Sequence, residues 1–285
     1  MSSQRQAYPV AFVLGGIVSV QIGAAFAFEL FDRLGPGGTV FLRVTLAALV
    51  VGAVWRPRVR GVSRDAMRQA AAFGFTLAAM NWSFYEGLER VPLGIAVTLE
   101  FVGPLGVAVA GSRRPRDLLW VATAAAGILL LSPGLGSDLD VTGAALCLLA
   151  GGFWAAYIVL SERVGRSFAG GQGLALALAF GAVLLVPVGI ADGGGALLEP
   201  ELLAAALAVA LLSSAIPYSL ELEALRRLPR ATFGVLMSLE PAVAAMVGFI
   251  ALGQGVGAGE ALAIGLVVAA SAGALRSAAV VPRDG

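Results

Sequence analysis

Glu100 sits in an apolar run, with Gly94-Ile95-Ala96-Val97-Thr98-Leu99 before it and Phe101-Val102-Gly103 after it, and Pro104 four residues on. A charged side chain at the centre of a bilayer costs about 2.5–3.5 kcal/mol on insertion scales, so a carboxyl there asks for a reason. Proline has no N–H, and in a helix Pro104 would leave the carbonyl of residue 100 without its donor. A carboxyl group beside a bare carbonyl suits a proton, a cation or an ammonium group. The plainer reading is a kinked helix in which Glu100 is hydrogen-bonded to a neighbour.

Other polar residues in apolar surroundings raise the same question. Asn81 and Tyr85 are one helical turn apart and share a face, as do Trp82 and Glu86. Ser213, Ser214, Pro217, Tyr218, Glu221 and Glu223 fall close together, and Pro217 would free the carbonyl of Ser213. Ser214, Tyr218 and Glu221 follow one face, whereas Glu221 and Glu223 are also near enough to Arg226, Arg227 and Arg230 simply to pair with them. Glu240 precedes Pro241 and reads either as a functional carboxyl or as a structural hydrogen bond to another helix. Arg43 has three uses open to it: snorkelling to the interface, neutralising a buried carboxylate, or holding a substrate carboxylate in its planar fork. Gln21, Trp154 and Tyr157 could line a cavity or, for the aromatics, anchor span ends. Gly23 and Gly106 read as close-packing positions. The chain has no histidine and one cysteine, Cys147, which leaves no disulfide, no thiol–imidazole pair and no His/Cys metal site. No cofactor is expected.

The elements that must position these groups are membrane helices. Charged residues make up 13% of the 285 positions and hydrophobic ones 59%, where a soluble domain carries about 25% charged residues. Spans are expected at roughly 9–30, 38–55, 69–88, 92–111, 117–132, 140–160, 172–190, 202–222, 229–252 and 259–275, an all-α chain of ten transmembrane helices. Connections are short and leave no room for a soluble catalytic domain, and a net charge of +1 gives no support for nucleic-acid binding. All 19 basic residues are arginine. With the N-terminus inside, 16 of them fall on the cytoplasmic side, while Asp138, Asp140, Asp192, Glu199 and Glu201 fall outside, so both termini are expected to be cytoplasmic. A competing reading makes the first segment a signal peptide ending at Ala25-Phe26-Ala27.

The chain also carries an internal echo. Pro92 and Pro104 match Pro229 and Pro241 at a displacement of 137, Glu86 and Leu88 match Glu223 and Leu225, and Val91 pairs with Leu228. Residues 1–136 and 137–285 would then be two five-helix repeats. An odd helix count inverts the second against the first, the arrangement that supports alternating access about a midplane site.

The strings Asn81-Trp82-Ser83-Phe84-Tyr85, Val91 to Pro104, Ser112-Arg113-Arg114-Pro115, Pro217-Tyr218-Ser219-Leu220-Glu221 and Thr232 to Ala242 resemble the drug/metabolite transporter superfamily, EamA type, in its threonine/homoserine exporter branch. That resemblance implies two inverted five-helix halves in a bacterial inner membrane, and export of small neutral amino acids against entering protons. One departure is Gly253-Gln254, where the superfamily often has Gly-Glu. On this reading Arg43 faces the substrate carboxylate, while Glu100 or Glu86 faces its ammonium and takes the proton. Asn81, Tyr85, Tyr218 and Ser214 supply neutral hydrogen bonds. The alternatives are export of another metabolite or an amphiphilic drug, an intramembrane lipid enzyme, and a non-transporting membrane partner. Whether the chain works alone or as a homo-oligomer is left open by its sequence.

Overall fold

The computed structural model describes residues 3–57, 59–110, 117–130, 139–217, 220, 224 and 236–279. Among these there is no strand, and the helices in chain order are α1 (Ser3–Glu29), α2 (Phe31–Trp55), α3 (Arg64–Leu88), α4 (Leu93–Glu100), α5 (Val102–Ala110), α6 (Asp117–Leu130), α7 (Val141–Ser167), α8 (Gln172–Gly193), α9 (Pro200–Ala210), α10 (Glu240–Leu252) and α11 (Ala258–Ala279). A 3₁₀ turn, Gly194–Leu198, precedes α9, and a π-helical turn, Leu211–Ala215, follows it. The segments Tyr8–Glu29, Phe31–Trp55, Val141–Ser167 and Gln172–Leu198 are long and apolar enough to cross a membrane, and five shorter apolar helices of 10–17 residues accompany them. Val183 and Ile250 are 70% and 72% exposed. Such outward apolar side chains are at home against lipid tails, and the chain is an all-helical, multi-pass membrane protein.

Local chemistry starts and stops these helices. The Ser63 hydroxyl accepts from the Ala66 N–H (3.1 Å) at the start of α3, and the Asp140 carboxylate accepts from the Gly143 N–H (2.6 Å) at the start of α7. Pro200 opens α9, where a missing N–H costs nothing. Gly253, at φ 63°, closes α10 in the left-handed region that glycine tolerates. The Gln254 side chain then accepts from the Leu93 N–H (2.9 Å). It satisfies an orphan donor at the start of α4, a task a neutral amide performs as well as a carboxylate, so the departure at Gln254 keeps a working acceptor.

α2 packs on α8, α3 on α7 and α8, α4 on α10 and α7, α1 on α10 and the π turn, α9 on α2, and α6 on α11. Small residues let the backbones meet. A Cβ on Gly74 would lie 2.5 Å from the Ala177 carbonyl oxygen, and one on Gly94 would lie 2.6 Å from Ala245 Cα. Gly87 gives Cys147 its space, since a Cβ there would lie 2.5 Å from the buried sulfur. Gly23 packs against Leu212 and Ser213 as expected, but among the described residues no atom lies within 4 Å of the Cβ position of Gly106.

Two of the expected spans are interrupted. The span expected at 92–111 breaks at Phe101 into α4 and α5, with Pro104 in the first turn of α5. In the span expected at 229–252, Ser238 and Leu239 form a turn and α10 begins at Glu240. Glu240 is therefore a helix-initiating residue and not a mid-helix one, because Pro241 favours the first turn of a helix over its interior.

Candidate functional site

The π turn organises the buried polar groups. Its closing bond runs from the Ile216 N–H to the Leu211 carbonyl, five residues back. An α-helical bond would have used the Leu212 carbonyl, and Pro217 has no N–H for the carbonyl of Ser213. Two consecutive carbonyls thus lose their α-helical donors, and buried backbone groups need partners. Ser19 on α1 donates its hydroxyl to the Leu212 oxygen (2.7 Å), and Arg43 on α2 donates Nη2 to the Ser213 oxygen (3.2 Å).

Arg43 joins three elements. Its Nη1 donates to the Tyr85 hydroxyl (3.0 Å) on α3, and its Cζ lies 5.3 Å from the centre of that ring. Tyr85 is fully buried and wedged beside Phe31 and Phe84, with ring centres 5.6 and 6.2 Å away. Arg43 is also within electrostatic reach of Glu100. Glu100 ends α4, half-buried, and its carboxyl has no hydrogen-bond partner among the described residues. The carbonyl of residue 100 is not an open ligand, however. A Cβ on Gly151 of α7 would lie 2.5 Å from that oxygen, and a Cβ on Gly103 would strike the Gly151 carbonyl, so the backbones of α5 and α7 close over it. Trp154 flanks the same break, edge-on to Phe101 with ring centres 5.5 Å apart.

A second buried pair links α1 to α10. Gln21 donates Nε2 to Glu240 Oε1 (3.2 Å), with both residues buried. The position of Glu240 at a helix N-terminus favours negative charge there.

Several sequence candidates are set apart from Arg43. Asn81 donates to the carbonyl of Leu77 on its own helix (2.7 Å). Trp82 Nε1 donates to Glu86 Oε1 (3.0 Å), and Arg90 lies 3.9 Å from the same carboxylate, which puts Glu86 in a surface-side group. Tyr157 packs on Phe73 with ring centres 5.2 Å apart. Ser214 is buried, but the contact to Arg43 comes from the Ser213 carbonyl. Pro217 is buried beside it. Tyr218, Glu221 and Glu223 lie outside the described residues. The sequence reading passed over Ser19, whose only signal is a hydroxyl two residues before Gln21. It also passed over Asp192 as a binding group: the carboxylate accepts from the Gly37 N–H (2.9 Å) beside the kink at Gly35.

Comparison with known proteins adds a family to this geometry. The profile of the EamA-like transporter family matches residues 141–276. The threonine/homoserine exporter RhtA of Salmonella typhimurium strain LT2 is 43% identical over 93% of this chain and 90% of its own length. That of Escherichia coli K12 is 42% identical over the same shares. A solved crystal structure at 18% identity superimposes with a TM-score of 0.63, covering 93% of this chain and 96% of the other, and shares its fold.

Proposed function

The chain belongs to the EamA-like transporter family, and from that premise we propose that it exports threonine, homoserine and similar small neutral amino acids across the bacterial inner membrane in exchange for entering protons. The observation that carries this reading is a half-buried guanidinium within electrostatic reach of a carboxyl that makes no hydrogen bond among the described residues. A zwitterionic amino acid presents the complementary pair. Arg43 meets its carboxylate, and Glu100 exchanges the ammonium for a proton. The relatives at 42–43% identity bear the name threonine/homoserine exporter, which supports the same substrates here. The chain is on this reading a carrier and not an enzyme.

The transport cycle we propose uses ten transmembrane helices in two inverted halves, 1–136 and 137–285, with both termini cytoplasmic. Two facts support it. The interruptions at Phe101 and Ser238 are separated by the same 137 residues as the proline pairs. Helix packing also follows a two-fold pattern: α1 on α10 mirrors α7 on α4, α3 on α8 mirrors α9 on α2, and α2 with α8, α4 with α10 and α6 with α11 are self-paired. Arg43 bridges the halves through the π turn, so a substrate that engages it acts on their relative position.

The test is efflux of labelled threonine and homoserine from proteoliposomes containing only this protein, with and without an imposed proton gradient. Saturable efflux that accelerates as protons enter supports the proposal. Folded protein that passes neither amino acid overturns it.

A further inference from the structure

We infer that the hydrogen bond between Arg43 and the Ser213 carbonyl is the seat of the substrate's charged head group, opened by a zwitterion that gives its carboxylate to Arg43 Nη2 and its ammonium to the Ser213 oxygen. The inference rests on the amino-acid reading above and goes beyond it by assigning the ammonium's first ligand to a backbone atom in place of Glu100. A guanidinium N–H pointing at a carbonyl is a donor–acceptor pair, and a zwitterion complements it term by term. Neither a plain carboxylic acid nor a plain amine does, since each leaves one buried partner unsatisfied.

Three features build the site. Pro217 has no N–H, so the Ser213 oxygen lacks the α-helical donor four residues on, and Arg43 reaches it from another helix. The bond that meets it spans 3.2 Å, and Arg43 has a second anchor, Nη1 on the Tyr85 hydroxyl, that holds it when Nη2 lets go. The Ser213 hydroxyl, 3% exposed, has no hydrogen-bond partner among the described residues and supplies a further polar atom at the same residue. A buried orphan hydroxyl is unusual enough in a native fold to need a reason. Glu100 is then left to the proton.

The experiment is thermal stabilisation of the full-length protein in nanodiscs by threonine, threonine amide and 3-hydroxybutanoate. The amide lacks the carboxylate and 3-hydroxybutanoate lacks the ammonium. With the wild type, both analogues bind about 10- to 100-fold more weakly than threonine, the range expected for a lost bond to a charged group. In Pro217→Ala an N–H at 217 competes for the Ser213 carbonyl. Threonine then weakens about tenfold while 3-hydroxybutanoate does not, so the gap between them narrows. In Arg43→Gln, threonine falls to the level of its amide. A folded Pro217→Ala protein that keeps the wild-type gap overturns the inference and leaves amino-acid export standing. Should that variant not fold, Arg43→Gln decides: a continued preference for threonine over its amide overturns the inference. Wild-type protein stabilised by none of the three overturns the substrate reading and the inference together.

Discussion

Arg43 and Glu100 differ in how firmly each is held. Arg43 is fixed by the hydroxyl of a fully buried Tyr85, whereas the Glu100 carboxyl hydrogen-bonds to none of the described residues. That contrast suits a guanidinium that stays in place and a carboxyl that gains and loses a proton. Glu100→Gln is therefore expected to insert and fold normally while its efflux no longer responds to a proton gradient. A variant that still exports at the full gradient-driven rate removes Glu100 from the coupling. Tyr85→Phe keeps the ring packing and deletes one acceptor of a charge-assisted bond. The KM for threonine should rise about tenfold with little change in melting temperature, as read by initial efflux rates across a concentration series.

At the scale of elements, proline chemistry was the most legible part of the site. A missing N–H is a local fact, and the Ser213 carbonyl, four residues before Pro217, is the one that Arg43 meets. Faces counted around that helix were less secure. They assume 3.6 residues per turn, and the π turn at Leu211–Ala215 widens one turn and shifts the register after it. Asn81 turned back to its own helix because a short amide reaches the carbonyl four residues earlier, an option no spacing rule excludes. The partner of a freed carbonyl is equally illegible: Glu100 and Ser213 each precede a proline by four, yet one oxygen is covered by Gly151 and the other meets Arg43. The Gly103–Gly151 contact gives a prediction of its own. Gly103→Ala drives a methyl into the Gly151 carbonyl and should cost about 1–3 kcal/mol of stability, seen as a lower melting temperature in detergent. Gly106→Ala, three residues along the same helix with no atom of the described residues within 4 Å, should not lower it.

For the whole molecule, side-chain contacts gather the helix ends into two groups. Arg33 after α1 pairs with Glu199 before α9 (2.5 Å), and Arg90 after α3 lies against Gly143 at the start of α7. At the other end Ser167 donates to Gln69, and Trp55 covers Gly170 and Gly171. The group containing Glu199 is expected to face the periplasm and the group containing Gln69 the cytoplasm. Protease sites inserted at 195 and at 61 check this, since the first should be cut from outside intact cells and the second only in inverted vesicles. Cys147, buried against Gly87, is the chain's sole thiol, and in a protein without lysine or histidine it leaves the surface almost silent to covalent labels. A cysteine placed at any exposed position would then be the one group a maleimide finds. Pairs of spin or fluorescent labels could follow the opening of each face through a transport cycle with the native sequence otherwise intact.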